Sequence, residues 1–454
     1  MGTTILLGNT IHLNNTTGTP VAGGAASGAT TTPFVLQSDT WSPRAATRRP
    51  IWAGGAPFRD GADLLLETFD NVAETVPIVV QGSSRDDAVA QLQTLKELLQ
   101  QGGYSYPLSL AILPHSTTNT GYAEIYTGDV EEDPRVLGSE RTSSLIRATI
   151  TWIRSPFFGV SSLTTLINAA TFTNNGTGAN KDTQSLGALT GDLIYTGMPL
   201  NIKVLGVVGS TISTLYAASV DTQVYASVNQ AKTTTTSTTY TTQTVTLGSA
   251  VKRGLRGRVL GRLTTFTNLS KAQFKVDVID INGSTSIYTS AWLAAANATA
   301  SLIDFGDFDL SFFRRPLPTS IQAQIVITIR SSDGTSVTAT LDYVEVLLYY
   351  DFCVVNSGFD VPSTTKYLYL EGATNNGVSP SGWLPSSPPV AYMARTSDNQ
   401  TFDPRLIRGR LPRAFSGASL YLAWIDQSGL HDKTTTATIT AQLAPLYRTL
   451  RGST

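Results

Sequence analysis

Glu74-Thr-Val-Pro-Ile-Val-Val-Gln-Gly82, then Ser83-Ser-Arg-Asp-Asp87, then the run from Ala88 to Gln101, is the stretch from which the rest of the chain is read. Its first part is a short apolar run rich in β-branched residues and closed by glycine, the pattern of a strand. After Ser83 the period changes. Ala88, Leu92, Leu95 and Leu99 recur at the spacing of one helix face, which predicts a helix over Asp86 to Gln101. Ser84 with Asp87 three residues later has the form of a capping box. Asp86 and Asp87 suit the positive end of the helix dipole, and Gly102-Gly103 supply a stop.

Short apolar runs surround this helix at Leu64 to Phe69, Val76 to Val80, Leu108 to Leu113, Tyr122 to Tyr126 and Leu145 to Ile153, bounded by Gly, Pro and Asn. One helix among strands predicts an α+β unit over residues 60–162. Residues 1–59 are poor in aromatics and include the Gly/Ala/Thr stretch Gly18 to Thr32, read as an N-terminal arm with edge strands. Residues 163–355 lack a comparable helical pattern. They give alternating strands such as Gln273 to Ile279 and Ile321 to Arg330. The second leads through Ser332-Asp-Gly334, a hairpin signal, into the long strand Val337 to Tyr350. This is the pattern of a β-sandwich, in which the Thr-rich Lys232 to Thr242 is an exposed strand or a loop. Residues 356–454 read as a smaller C-terminal β domain. It starts with turns at Ser379 to Trp383 and Ser386 to Pro389 and ends with strands near Ala418 to Ile425 and Ala437 to Leu443. The expected fold class is mainly β: an N-terminal α+β ring domain with one helix, followed by two jelly-roll-like β-sandwich domains.

Composition narrows the function. Charged residues make up 14% of the 454 positions, against about 25% in ordinary domains, and Thr, Ser, Asn and Gly take their place. A net charge of -1 removes whole-chain attraction to nucleic acid or anionic lipid, so no nucleic-acid specificity is expected. A single cysteine, Cys353, excludes an internal disulfide framework, and three histidines far apart, His12, His115 and His431, make a zinc cage improbable. The stretch Met1 to Leu13 lacks the form of a signal peptide, and no run of about 18 apolar residues could span a bilayer. Synthesis in the cytoplasm is therefore expected.

No catalytic motif stands out. There is no Gly-x-Ser-x-Gly elbow and no base beside Cys353. Asp304, Asp307 and Asp309 are raw material for a glycosidase pair or a calcium site, but their spacing is not that of an EF-hand, and alternation with Phe reads more simply as an edge strand turning at Gly306. The expectation is no enzyme, no cofactor and no metal site. Arg405, Arg408, Arg410 and Arg413 form the densest basic feature near the end and are candidates for a subunit interface. If sugars bind, Tyr240, Tyr288 and Trp292 are the candidate stacking aromatics, each also compatible with ordinary packing.

The strand and helix quoted above, together with Gly121-Tyr-Ala-Glu-Ile-Tyr-Thr-Gly128 and Ala148-Thr-Ile-Thr-Trp-Ile-Arg-Ser-Pro-Phe-Phe-Gly159, resemble tail proteins of long-tailed bacteriophages, most nearly the distal tail protein. Leu341-Asp-Tyr-Val-Glu-Val-Leu-Leu348 resembles the closing strand of jelly-roll, carbohydrate-binding-like domains. The resemblance implies a ring of six subunits at the tail tip that joins the tail tube to tip or host-recognition proteins. Its implied partners are copies of itself, other tail proteins and host surface glycans. Its implied place is the virion tail, assembled in the host cytoplasm. A carbohydrate-binding adhesin and another virion ring or tube protein are the rival readings. Low charge, a Gly/Thr-rich arm and unpaired strand edges also favour assembly, because neighbouring subunits complete such edges.

Overall fold

The computed structural model describes residues 5–7, 11–13, 33–37, 43–52, 64–104, 108–112, 121–133, 144–175, 177, 182–194, 196–206, 212–248, 255–280, 285–310, 321–356, 363–375 and 382–449. The expected arm Gly18 to Thr32 and His115 lie outside them. Strand dominates, and the single α-helix of the described residues is Arg85–Tyr104. It runs through the Gly102-Gly103 pair, two residues that cost a helix about 1 kcal/mol each but do not here break its last turn. Its start is capped in a shifted way. The Asp87 amide donates to Ser84 Oγ at 3.2 Å, but the Asp87 carboxylate accepts from the amide and hydroxyl of Ser83, at 2.7 and 2.9 Å, instead of returning to Ser84.

Seven short strands close into a barrel in the order Ile5–Leu7, Ile11–Leu13, Leu108–Ile112, Gly121–Glu132, Leu145–Arg154, Val72–Gln81, Phe34–Leu36. Alternation builds its core. Val76, Ile78 and Val80 point inward beside Ile150, Ala148 and Ile146 of the neighbouring strand, with Trp152 on the same face, and Ala88, Leu95, Leu98 and Leu99 of the helix join the same cluster. Closure is made at a single residue pair, Leu7↔Phe34, and among the described residues Phe34–Leu36 pairs with Val72–Gln81 only from Ile78 to Val80.

The rest of the chain is organised by two very long antiparallel strands, Thr214–Thr234 and Val337–Asn356, paired from Thr214↔Asn356 to Thr234↔Val337. Their lower halves belong to a body whose core runs from Ile167 to Leu446, and their upper halves to a second body whose core lies between Tyr240 and Leu348. Strands Lys366–Asn375, Trp383–Arg395, Ser419–Ile425 and Thr436–Leu443 therefore sit in one 13-stranded sheet with Thr164–Thr173 and Met198–Gly206. The expected cut near 355/356 falls inside this sheet. The topology is an insertion, in which the 240–348 sandwich grows out of a body formed by both flanking segments. Sequence-order division missed it because pairing of Met198–Gly206 with Thr436–Leu443 spans more than two hundred positions.

Of three local expectations two change, and that for Lys232 to Thr242 resolves in favour of strand. Ser332-Asp-Gly334 is not a hairpin turn: Ile321–Ser331 pairs with Ala272–Asp280 and Val337–Asn356 pairs with Thr214–Thr234, so the turn carries the chain from one layer of the sandwich to the facing one. Lys232 to Thr242 is mostly strand, split between the end of Thr214–Thr234 and Ser237–Thr239. Ser386 to Pro389 is the bulge of a strand, Trp383–Arg395, lying between the pairs Ala373↔Pro385 and Glu371↔Val390. A bulge is where proline is tolerated, since no ladder donor is needed there.

The partner strand carries a matching irregularity at Gly372. A methyl group there would stand 2.5 Å from the Leu200 carbonyl oxygen. Asn201, 1% exposed, repairs the ladder with its side chain. Its Nδ2 donates to the Ala373 carbonyl at 2.8 Å and its Oδ1 accepts from the Ala373 amide at 2.8 Å. Asn201→Leu is expected to destabilise this body by about 1–3 kcal/mol, because it strands a buried amide and carbonyl. Denaturant unfolding of the variant checks this, and a loss near zero would mean that the Ala373 groups find other partners.

Candidate assembly surface

Barrel strands Val72–Gln81 and Leu145–Arg154 point alternate residues outward, and the register sets Ala73 opposite Ile153, Thr75 opposite Thr151, Pro77 opposite Thr149 and Val79 opposite Arg147. One charge, Arg147, stands among these eight side chains. Leu145 at 45%, Ile153 at 39% and the adjoining Val35 at 38% are among the most exposed large apolar residues of the described chain. The wall is thus apolar and hydroxyl-bearing on the outside as well as the inside. A neighbour that packs on this wall meets it through these side chains. Beside the wall, Val89, Leu92, Gln93 and Lys96 of the helix and Val130, Glu131 and Glu132 line an open cleft of about 540 Å³, its rim tied by Arg85–Glu132 at 2.5 Å and Lys96–Asp129 at 3.8 Å.

The inward positions of the same two strands end in a polar cluster. Glu74 and Arg154, with side chains 1% and 0% exposed, pair at 2.9 Å. Glu74 also accepts from Trp152 Nε1 at 3.0 Å and from the Arg44 amide at 2.7 Å, while Arg154 donates to the carbonyls of Arg44 at 2.6 Å and Ser155 at 2.8 Å. Burial pushes the Arg154 guanidinium below its ordinary range, opposed by the Glu74 charge. The cluster pins the segment before the first long barrel strand to the point where the chain leaves the barrel.

That exit, Ser155-Pro-Phe-Phe-Gly159, is a clamp. Phe158 and Tyr447 exchange backbone hydrogen bonds at 2.8 and 2.9 Å, Tyr122 and Gly159 do so at 3.1 and 2.8 Å, and the Trp383 amide donates to Val160 at 2.9 Å. Any side chain at Gly159 would overlap the Trp383 carbonyl oxygen. Phe69 packs edge-on against Phe157 at 5.0 Å, and the Arg448 guanidinium lies 5.2 Å from the Phe69 ring. Barrel and outer body are thus joined by backbone bonds on two sides.

The residues singled out from sequence scatter. Arg413 binds Asp351 through two nitrogens at 2.8 and 3.2 Å and donates to the Thr196 carbonyl at 2.9 Å, and Arg410 reaches the same carboxylate at 3.5 Å. Arg413 is engaged within the chain, whereas the Arg410 side chain is 60% exposed. The carboxylate they share belongs to Asp351, whose side chain is 1% exposed. Arg405 and Arg408 lie on Thr401–Gly409, where Arg408 is exposed next to Leu406, itself 64% exposed. Tyr240 is 2% exposed and donates to the Ala339 carbonyl at 2.9 Å, so it is core and offers no stacking face. Tyr288 spends its hydroxyl on the Phe305 carbonyl at 2.5 Å, and the Arg330 guanidinium covers Trp292 at 4.1 Å. Asp304 and Asp307 both bind Arg258, the first at 2.5 Å, in an edge strand whose Gly306, at φ 93°, sits in a bulge. Arg258 already supplies the positive charge that a calcium ion would bring, and among the described residues no group of three or more potential metal ligands exists. Cys353 is buried at 0% exposure, and burial raises its thiol far above the ordinary range. Among the described residues no helix is long and apolar enough to cross a membrane.

Sequence reading missed the Glu74–Arg154 cluster, although the signal was present. Val72, Glu74 and Val76 share one phase of their strand, as do Ile150, Trp152 and Arg154, so strict alternation already points both charges inward.

No protein-family model matches the chain, and no curated protein matches it. Solved structures return the crystal structure of the SPP1 Dit (gp 19.1) protein, described as a paradigm of the hub adsorption apparatus in phages infecting Gram-positive hosts, at 10% identity over 68% of this chain and 93% of that one, with a TM-score of 0.21. The phage p2 baseplate in its activated conformation matches at 8% identity over 75% of this chain and 96% of that one, TM-score 0.22. Infectious bursal disease virus strain Gt matches at 10% identity over 63% and 79%, TM-score 0.17. At such scores these likenesses transfer no role to the chain.

Proposed function

We propose that this chain is a structural protein of a phage tail, placed at the tail tip as a ring of about six copies and linking the tube to tip or host-recognition proteins. The reading rests on the resemblance carried by residues 60–162. The observation that carries it in the fold is the charge-poor outer wall of a closed barrel, clamped to a two-bodied outer part. A barrel wall with one charge among eight outward side chains is suited to being covered by side-chain contacts, and closed symmetry covers it without leaving a second exposed copy. Arg408 and Arg405 are proposed to contribute at the rim of the outer body. The chain makes and breaks no bond in this role. Assembly takes place in the host cytoplasm and the finished site is the virion tail. For the carbohydrate-binding reading Tyr240 is lost to the core, and half-buried Tyr288 and Trp292 are the aromatics on which it would rest.

Electron microscopy and mass measurement of purified protein at micromolar concentration test the proposal. A closed ring is expected for the wild type. Ile153→Glu combined with Thr75→Glu, both on the outer wall, is expected to give monomers with an unchanged melting temperature, since exposed strand positions away from the core shift stability little. A wild type that stays monomeric alone and together with its tail proteins overturns the reading, and so does a double variant that assembles normally.

A further inference from the structure

Behind the long strand pair lies a cluster that the assembly reading does not use. Asp182 is 1% exposed and Glu345 0%. The Gln223 amide nitrogen donates to both carboxyls, to Asp182 Oδ1 at 2.9 Å and Glu345 Oε1 at 3.3 Å. Its oxygen accepts from the Thr183 hydroxyl at 3.1 Å, and Tyr421 donates to the other Glu345 oxygen at 3.0 Å. Two carboxylates cannot both stay ionised at such proximity in a dry interior. One proton held between them converts repulsion into a hydrogen bond.

Asp182 opens the three-residue strand Thr183–Ser185, which ends the 13-stranded sheet and pairs only with Ser419–Ile425. Backbone bonds from Leu422 to the Asp182 carbonyl at 2.8 Å and from Leu186 to the Ala418 carbonyl at 3.2 Å complete its attachment. So short an edge strand has little independent stability. Besides the Asp182 amide bond to the Asn175 carbonyl at 3.3 Å and Leu186, 1% exposed in the core, its side-chain anchors are the Gln223 and Thr183 bonds and the carboxyl pair.

We propose that Asp182 and Glu345 share one proton that latches residues 182–186 onto the sheet, and that alkaline solution removes the proton and frees the backbone edge of Ser419–Ile425. Burial first, and then the charge of Asp182, holds the Glu345 carboxyl well above the ordinary carboxylate range. The other ionisable groups around the pair are accounted for. Tyr343 and Tyr421 are raised well above their usual range by burial, and Tyr225 to about 12, so all three remain neutral. Arg262 and Lys433 are bound to Asp342 at 2.5 and 3.1 Å. His431 titrates on the acid side. An unpaired strand edge is a template for another chain, so the latch decides whether this face can accept a strand.

The test is hydrogen exchange of the full-length protein from pH 6.5 to 10, with rates corrected for intrinsic exchange. In the wild type, protection of 183–186 and 419–422 is expected to fall about tenfold per pH unit while the closed pair holds a proton that the opened segment releases, the slope of a one-proton linkage, and to level off once the closed pair has lost it. In Glu345→Gln, which keeps a donor toward Asp182, protection is expected to stay level. Infrared spectra supply a readout that does not depend on the variant: a protonated carboxylic acid band in the wild type at pH 7 that disappears on alkaline titration. Parallel loss of protection in both proteins, or no such band at pH 7, overturns the proposal.

Discussion

Arg154→Ala lowers the stability of the barrel by about 3–5 kcal/mol, because it leaves the Glu74 carboxylate buried without its cation. The geometry sets this size. Glu74 and Arg154 are 1% and 0% exposed, and their remaining bonds to Trp152, Ser155 and the backbone of Arg44 assume that both charges are present. Removing one charge costs the desolvation of the other, whereas removing both costs only packing. Glu74→Met with Arg154→Met is therefore expected to recover most of the loss, and the coupling between the two positions is the quantity of interest. Hydrogen exchange on Val72–Gln81 and Leu145–Arg154 localises the effect to the barrel in a chain whose bodies need not unfold together. A loss under about 1 kcal/mol for Arg154→Ala would show that Glu74 takes up a proton or meets water at no cost. The same variant also releases Arg44, so protection should fall at residues 44–47 before the barrel opens.

Legibility from sequence followed the range of the interactions. Strands such as Leu64–Phe69 and Ser419–Ile425 and the helix Arg85–Tyr104 were readable because period and capping are local. The insertion of residues 240–348 into the outer body was not, because it is specified by pairings such as Leu200↔Leu443 that no local pattern announces. Buried polar residues divide the same way. Glu74 and Arg154 sit in strictly alternating strands, so phase gives their direction. Glu345 sits in Tyr343-Val-Glu-Val-Leu-Leu-Tyr349, where both faces are buried: Val344, Val346 and Leu348 enter one core and Leu347 and Tyr349 another. In such a run alternation carries no contrast, and a charge could be read only as an edge residue. The aromatics named as candidate sugar contacts divide for a related reason: Tyr240 lies in the core while Tyr288 and Trp292 are half-buried, and the outcome depends on the layer each strand joins.

His431 sets the largest expected pH effect on the acid side. It is 1% exposed, with Nδ1–H donating to the Trp424 carbonyl at 2.9 Å and Nε2 accepting from the Tyr343 hydroxyl at 2.7 Å. Both nitrogens are matched to the neutral ring, since Nε2 must be bare to accept. Burial is the main cause that pushes its pKa down to about 4 from 6.5, aided by Arg262 and opposed by the Trp424 carbonyl. A histidine lowered in this way stabilises the fold fully above pH 6.5 and loses that contribution as pH falls toward 4, because the unfolded chain binds the proton first. The lost contribution is about 3 kcal/mol. Glu345 works in the opposite direction. Its raised carboxyl favours the fold at low pH and costs stability as pH climbs above the ordinary carboxylate range. Between about pH 4.5 and 6.5 the two linkages cancel, so the wild type should show little slope there, and the histidine's share appears only by difference. His431→Asn keeps a donor for the Trp424 carbonyl and cannot ionise. Between pH 7 and pH 4 the stability gap between wild type and variant should move by about 3 kcal/mol in favour of the variant, read from denaturant midpoints at each pH. A constant gap would mean that the His431 pocket opens to water before the ring is charged, and a gap moving the other way would mean that the ring is already protonated in the fold.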